Sequence, residues 1–137
     1  MGLQLQALEA RSADDFGDAF QAMTREGIQA VLVLPNNPTF FHRRRLAELA
    51  IQHRLPMVGG SSDYAEAGSL MSYSADTSDV FRRAASHVDR ILRGTQPGDL
   101  PIAQPTKFEL VANLKTARDL GIVIPQSILQ RADRVIE

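Results

Sequence analysis

Residues Gln104 to Pro125 read Gln-Pro-Thr-Lys-Phe-Glu-Leu-Val-Ala-Asn-Leu-Lys-Thr-Ala-Arg-Asp-Leu-Gly-Ile-Val-Ile-Pro. Phe108, Leu110 and Ala112 alternate with Glu109, Val111 and Asn113, the period-two pattern of a strand with unequal faces. Asn113 stands where an N-cap would, its side-chain oxygen able to accept from free amides of a helix over 114–120, and Gly121 supplies the left-handed residue that ends it. Pro125 suits the first turn of another short helix over 126–132. The stretch describes strand, turn and helix, and carries no group suited to bond-making chemistry.

Working towards the N-terminus, the same signals recur. Leu3, Leu5 and Ala7 alternate with Gln4, Gln6 and Leu8, which predicts a partly exposed first strand. Ser12 is expected to cap a helix whose first turn holds Asp14 and Asp15, whose buried positions are Phe16, Ala19, Phe20 and Met23, and which Gly27 closes. Ala30 to Leu34 is a continuous apolar run ending at Pro35, as in a central parallel strand covered on both faces. After the Pro35-Asn36-Asn37-Pro38 loop, a helix over 39–53 would turn Leu46, Leu49 and Ala50 inward, and 56–59 gives another brief strand. Gly59 to Asp63 reads as a small polar turn and 70–73 as an extended piece. A helix beginning at Asp76 or Thr77 would bury Phe81, Ala84, Ala85, Val88, Ile91 and Leu92 and stop at Gly94. Thr95 to Pro101 is a turn-rich connection. Alternating strands and helices predict an α/β fold with right-handed parallel crossovers, a three-layer parallel sheet.

Composition narrows the function classes. The chain has 137 residues, 44% of them hydrophobic, enough for one ordinary core. Its formal charge of -1 gives no electrostatic argument for nucleic acid or an anionic membrane. The absence of cysteine excludes disulfides, thiolate metal sites and a cysteine nucleophile. Residues 1–8 show no basic region followed by an apolar segment of signal-peptide length, and no stretch reads as a membrane span.

Several pieces resemble the C-terminal part of bacterial ABC-transporter substrate-binding proteins of the tryptophan/tyrosine-type family, which have the type I periplasmic-binding-protein fold. They are Ala67-Gly68-Ser69-Leu70-Met71-Ser72-Tyr73, Ile91-Leu92-Arg93-Gly94, Pro97-Gly98-Asp99-Leu100-Pro101, 104–111, 113–117 and Arg131-Ala132-Asp133. The resemblance implies a solute-binding component, or truncated member, of an ABC-type importer. It would bind a small polar or amino-acid-like ligand without chemistry, with no cofactor, and full-length relatives work with an ABC permease. It implies that 1–70 is like the second lobe, that 71–103 carries a helix returning towards a first lobe, and that 104–137 supplies the terminal strand and helices. A periplasmic location follows from the family; with no signal peptide the chain would be cytoplasmic if Met1 is the natural start.

Ligand contacts in such proteins come from loops at the carboxyl ends of strands, in keeping with open parallel sheets generally. The matching positions are Asn36, Asn37, Ser61 and Ser62 as hydrogen-bonding groups, Tyr73 as a stacking group and Asp76 as an acceptor for an ammonium group. Two positions depart from the family pattern. Ser74 stands where glycine is typical, and Asn37 where amino-acid-binding relatives tend to have an acid, which implies weaker compensation of a ligand amino group.

Competing chemistries lack their parts. The His42-Arg43-Arg44-Arg45 run reads as a solvated helix face rather than a nucleic-acid patch. The histidines have no metal-ligand spacing, no Gly-x-Ser-x-Gly elbow frames a serine, and no glycine loop has phosphate-binding spacing. Asp14 and Asp15 lack the strand-end aspartate that a phospho-acceptor site needs. No catalytic or metal-ligating set is therefore expected. The alternative to ligand binding is a self-associating interaction module, a homo-oligomer able to exchange the helix over 77–93 and the terminal strand between copies.

Overall fold

The structure is a computed structural model and describes residues 2–137. Its elements are α1 (Asp15–Arg25), β1 (Val31–Val33), α2 (Asn37–Phe41), α3 (Arg43–Gln52), β2 (Met57–Gly59), α4 (Ser62–Ala67), β3 (Met71–Ala75), α5 (Thr77–Leu92), a single 3-10 turn (Pro97–Asp99), β4 (Phe108–Asn113), α6 (Leu114–Leu120), α7 (Gln126–Leu129) and β5 (Arg134–Ile136). The strands form one sheet in chain order. β1, β2 and β3 run parallel, β4 returns antiparallel beside β3, and β5 lies parallel to β4. The all-parallel expectation fails at that one junction, because the chain leaves by β3 and comes back by β4 through a long excursion.

Register and alternation sort the strand residues into two faces. Val31, Val33, Met57, Gly59, Ser72 and Val111 share one face, on which α1, α3 and α4 pack with Phe16, Phe20, Leu46, Ala47, Ala50 and Tyr64. Met71 and Ala112 share the other, covered by Ala117, Ile122, Ile124 and Ile128 from α6, α7 and their connection. That second cover is partial: Leu32 and Tyr73 remain exposed on the same side.

Local chemistry explains the element ends. α1 starts where the Asp15 carboxylate accepts from the amides of Arg11 and Ser12, both at 2.9 Å, so Ser12 is capped rather than capping. The bond from the Ser12 amide, then that from Arg11, holds the Asp15 carboxyl below its ordinary range. The helix predicted over 39–53 is two helices broken at His42. Arg43 donates to the Phe40 carbonyl at 2.9 Å and lies 4.6 Å over the Phe40 ring, taking the acceptor that the next turn of a continuous helix would use. Asn113 caps α6 through the Thr116 amide at 3.0 Å while its Nδ2 donates to the Ala65 carbonyl at 2.9 Å, tying β4 to α4. Gly121 is left-handed as expected, with φ 70°.

Four expectations are corrected. Residues 3–8 form no strand, and Leu3 and Leu5 lie in solvent, although β1 leaves its outer edge unpaired. β1 is an edge strand, not a central one, with Leu32 on its open side. The polar turn after β2 is brief because Ser62 begins α4, and β5 was not foreseen at all. The stripe of α5 is not buried: Phe81, Val88 and Leu92 face solvent, and no residue of this helix is buried.

Candidate functional site

The parallel direction of β1, β2 and β3 brings their carboxyl ends to one edge, with the loop after β2 between the other two. The loops are in contact: a Cβ on Gly60 would lie 2.5 Å from Pro35 Cγ, and one on Gly59 would lie 2.2 Å from the Tyr64 Cβ. Glycine at both positions lets the backbone of one loop rest on its neighbours.

Each candidate residue occupies this edge with distinct commitments. Asn36 is the N-cap of α2, its Oδ1 accepting from the Thr39 amide at 2.9 Å while Thr39 Oγ1 accepts from the Asn36 amide at 3.0 Å. The Tyr64 hydroxyl, from a side chain otherwise wholly buried, donates to Thr39 Oγ1 at 2.9 Å. Tyr64 and Thr39 therefore link the first two loops, a role the sequence did not reveal because nothing in the pattern distinguishes Tyr64 from a core aromatic. Asn37 is the exposed first residue of α2. Ser61 precedes α4 and its Oγ donates to Asp63 Oδ2 at 3.3 Å, while Ser62 opens the helix.

Tyr73 is 60% exposed and stacks on Phe108, ring centroids 5.5 Å apart and planes 14° from parallel. The pair is diagonal across β3 and β4, the reach expected for aromatic neighbours in a ladder. Phe108 was read only as a strand residue, and its partnership depends on the antiparallel register.

Asp76 caps α5 by accepting from the Asp79 amide at 3.1 Å and pairs with Lys107 Nζ at 2.7 Å. The Lys107 contact first, then the Asp79 amide, holds its carboxyl below the ordinary range, and the same contact raises Lys107. A backbone bond from the Asp76 amide to the Lys107 carbonyl at 3.0 Å closes the strut. Further out, Arg83 binds Asp79 at 2.8 Å and donates to the Gln104 carbonyl and the Thr106 hydroxyl. The excursion from β3 to β4 is thus pinned at its root, and a groove of about 320 Å³ opens between Val80, Arg83, Ala84 and His87 of α5 and Ala103 and Pro105 of the returning segment.

The edge offers hydrogen-bonding side chains, one exposed aromatic surface and one neutralised acid. Among the described residues no cluster of three His, Asp or Glu side chains could hold a metal ion, and no helix is long and apolar enough to cross a membrane.

Residues 1–136 match the family model of the ABC transporter substrate binding protein. No curated protein gives a sequence match. Among solved structures, a conserved domain protein from Vibrio cholerae O1 biovar El Tor superposes with a TM-score of 0.87 at 29% identity, covering 98% of this chain and 45% of that one. An ABC domain from Streptococcus pneumoniae in complex with L-Trp gives 0.87 at 25% identity, over 98% of this chain and 46% of that one. The ligand-free, open structure of CD0873, a substrate-binding protein with adhesive properties from Clostridium difficile, gives 0.72 at 16% identity over 98% of this chain and 45% of its own, a likeness of fold alone. The chain therefore spans less than half the length of the structures it matches.

Proposed function

The chain belongs to the ABC transporter substrate-binding protein family, and on that premise we propose that it supplies one wall of a binding site for a small amino-acid-like ligand. The ligand is held without covalent chemistry, in the solute-capturing component of an importer that works outside the cytoplasmic membrane with an ABC permease. The observation that carries this reading is the convergence of three loops at the carboxyl edge of β1, β2 and β3, the position where open parallel sheets take ligands. The L-Trp found with the Streptococcus pneumoniae structure supports the ligand class.

In this reading, residues 1–70 and 104–137 build the lobe and 71–103 reaches towards a second one. Asn37, Ser61 and Ser62 hydrogen-bond the ligand's polar groups. Asn36 holds the first loop in place through its cap. Tyr73, backed by Phe108, offers a flat apolar surface to an aromatic or aliphatic side chain. Asp76 is already compensated by Lys107, so a ligand ammonium competes with that lysine for the carboxylate. Closure against an opposing lobe would exclude water and complete the contacts.

The test is a thermal-shift panel of L-Trp, other amino acids and small amides on this chain. A ligand at 100 times its Kd stabilises the protein by about 2.7 kcal/mol. The expected result is a shift for at least one amino acid that Tyr73→Ala reduces. A flat response across the panel overturns binding by this lobe.

A further inference from the structure

Tyr64 of α4 is wholly buried, yet it carries a hydroxyl. That hydroxyl donates to Thr39 Oγ1 at 2.9 Å, 25 positions back along the chain. Thr39 Oγ1 is itself a junction. It accepts from the Asn36 amide at 3.0 Å, and its own proton faces the Leu34 carbonyl at 3.1 Å and the Asn36 carbonyl at 3.2 Å. Two protons received and one given satisfy a hydroxyl completely.

The loop held by this junction has few bonds of its own to offer. Pro35 and Pro38 donate no amide, and Asn36 and Asn37 are exposed. Gly60, from the loop after β2, lies so near that a Cβ there would come within 2.5 Å of Pro35 Cγ. The segment after β2 therefore grips the loop after β1 at two points. Gly60 sets how closely the loops approach, and the Tyr64 hydroxyl sets where Thr39, and with it Asn36, comes to rest.

We infer that Tyr64 is a positioning residue of this edge, a role that rests on the edge binding a ligand. Its buried hydroxyl, acting through Thr39, fixes the loop of Asn36 and Asn37 against that of Ser61 and Ser62, and so sets the affinity for a ligand that bridges the two loops. Packing alone does not require the hydroxyl. The Tyr64 ring meets Phe40 edge to face, centroids 6.4 Å apart and planes at 74°, and Gly59 closes against its Cβ. A phenylalanine ring keeps both contacts and loses only the bond to Thr39. Affinity falls because the ligand must then order a loop that the fold no longer orders in advance.

Backbone ¹⁵N relaxation and ligand titration on Tyr64→Phe test it together. Order parameters at Asn36, Asn37 and Thr39 are expected to drop from about 0.85 towards 0.6, while Asn113, at the far side of α4, keeps the parent's value. Affinity for L-Trp, or for the panel amino acid that binds best, falls about fivefold, the worth of one neutral hydrogen bond. Thr39→Ser keeps the hydroxyl and retains both the loop order and the affinity. An unchanged loop in Tyr64→Phe overturns the inference, even where unfolding shows lower stability, because the hydroxyl then serves the core alone. Undiminished affinity beside a loosened loop overturns it as well. A loosened loop with no binding by either protein supports the Tyr64–Thr39 tether and overturns the ligand site instead.

Discussion

α1 and α5 are both amphipathic helices, yet they end in opposite environments. Phe16 and Phe20 of α1 are 2% exposed, locked between α3 and the sheet, while Phe81 and Leu92 of α5 lie open. Periodicity in a sequence declares which side of a helix is apolar; it does not supply the surface that covers it. In the body, β1 and β2 are short parallel strands whose crossovers return each helix to one face. In the arm, the chain leaves β3, runs the length of α5 and comes back through 95–107 without any further element packing on it.

The sharpest way to break this contrast is to truncate equivalent phenylalanines. Phe20→Ala removes a fully buried ring and should cost about 3–5 kcal/mol, whereas Phe81→Ala at low protein concentration should stay within about 0.5 kcal/mol; urea unfolding followed by circular dichroism gives both. Equal losses would mean that α5 is covered by its own chain in solution. A smaller effect is expected at the joint between the two regions. Asn113→Ala deletes the α6 cap and leaves the Ala65 carbonyl without its partner, a loss of about 2 kcal/mol in the same assay. The smallest concerns the pin at the root of the arm. Because the folded Asp76 carboxyl titrates below its ordinary value of 3.8, its contribution is present above that pH and fades as pH falls through the lower folded value. Asp76→Asn should therefore be less stable than the parent at neutral pH, and the gap should close in acid below about pH 4. A gap constant with pH would show that the charge of the carboxylate is not what Asp76 contributes.

Much of the carboxyl-terminal third was legible because its signals are local. Asn113 and Gly121 cap the same short helix that the pattern outlines, and β4 has the predicted alternation. α5 begins at Thr77 behind Asp76 as read. What failed was long-range. Val31 to Val33 looks like a central strand by hydrophobicity, but its place at the sheet edge depends on which strands exist beside it. Residues 3–8 have strand alternation yet do not pair with the free edge of β1. α4 was hidden because its six residues are too few for a period to show.

The candidate site divides in the same way. Asn36, Ser61 and Asp76 were named from their places in loops after strands, through the family resemblance, and in the structure Asn36 and Asp76 also cap helices. Their second engagements, Asp76 with Lys107 and Tyr73 with Phe108, join residues about thirty positions apart and exist only because β4 pairs antiparallel with β3.

By itself the sequence determined the Asn113 cap, the glycine stop at Gly121, the α/β alternation and the absence of cysteine chemistry, since each follows from neighbours along the chain. Tertiary structure alone decided which strand lies at the edge, which acid is neutralised and which apolar stripe stays in water. Those outcomes depend on the surfaces that meet after folding, and burial is a property of both partners in a contact.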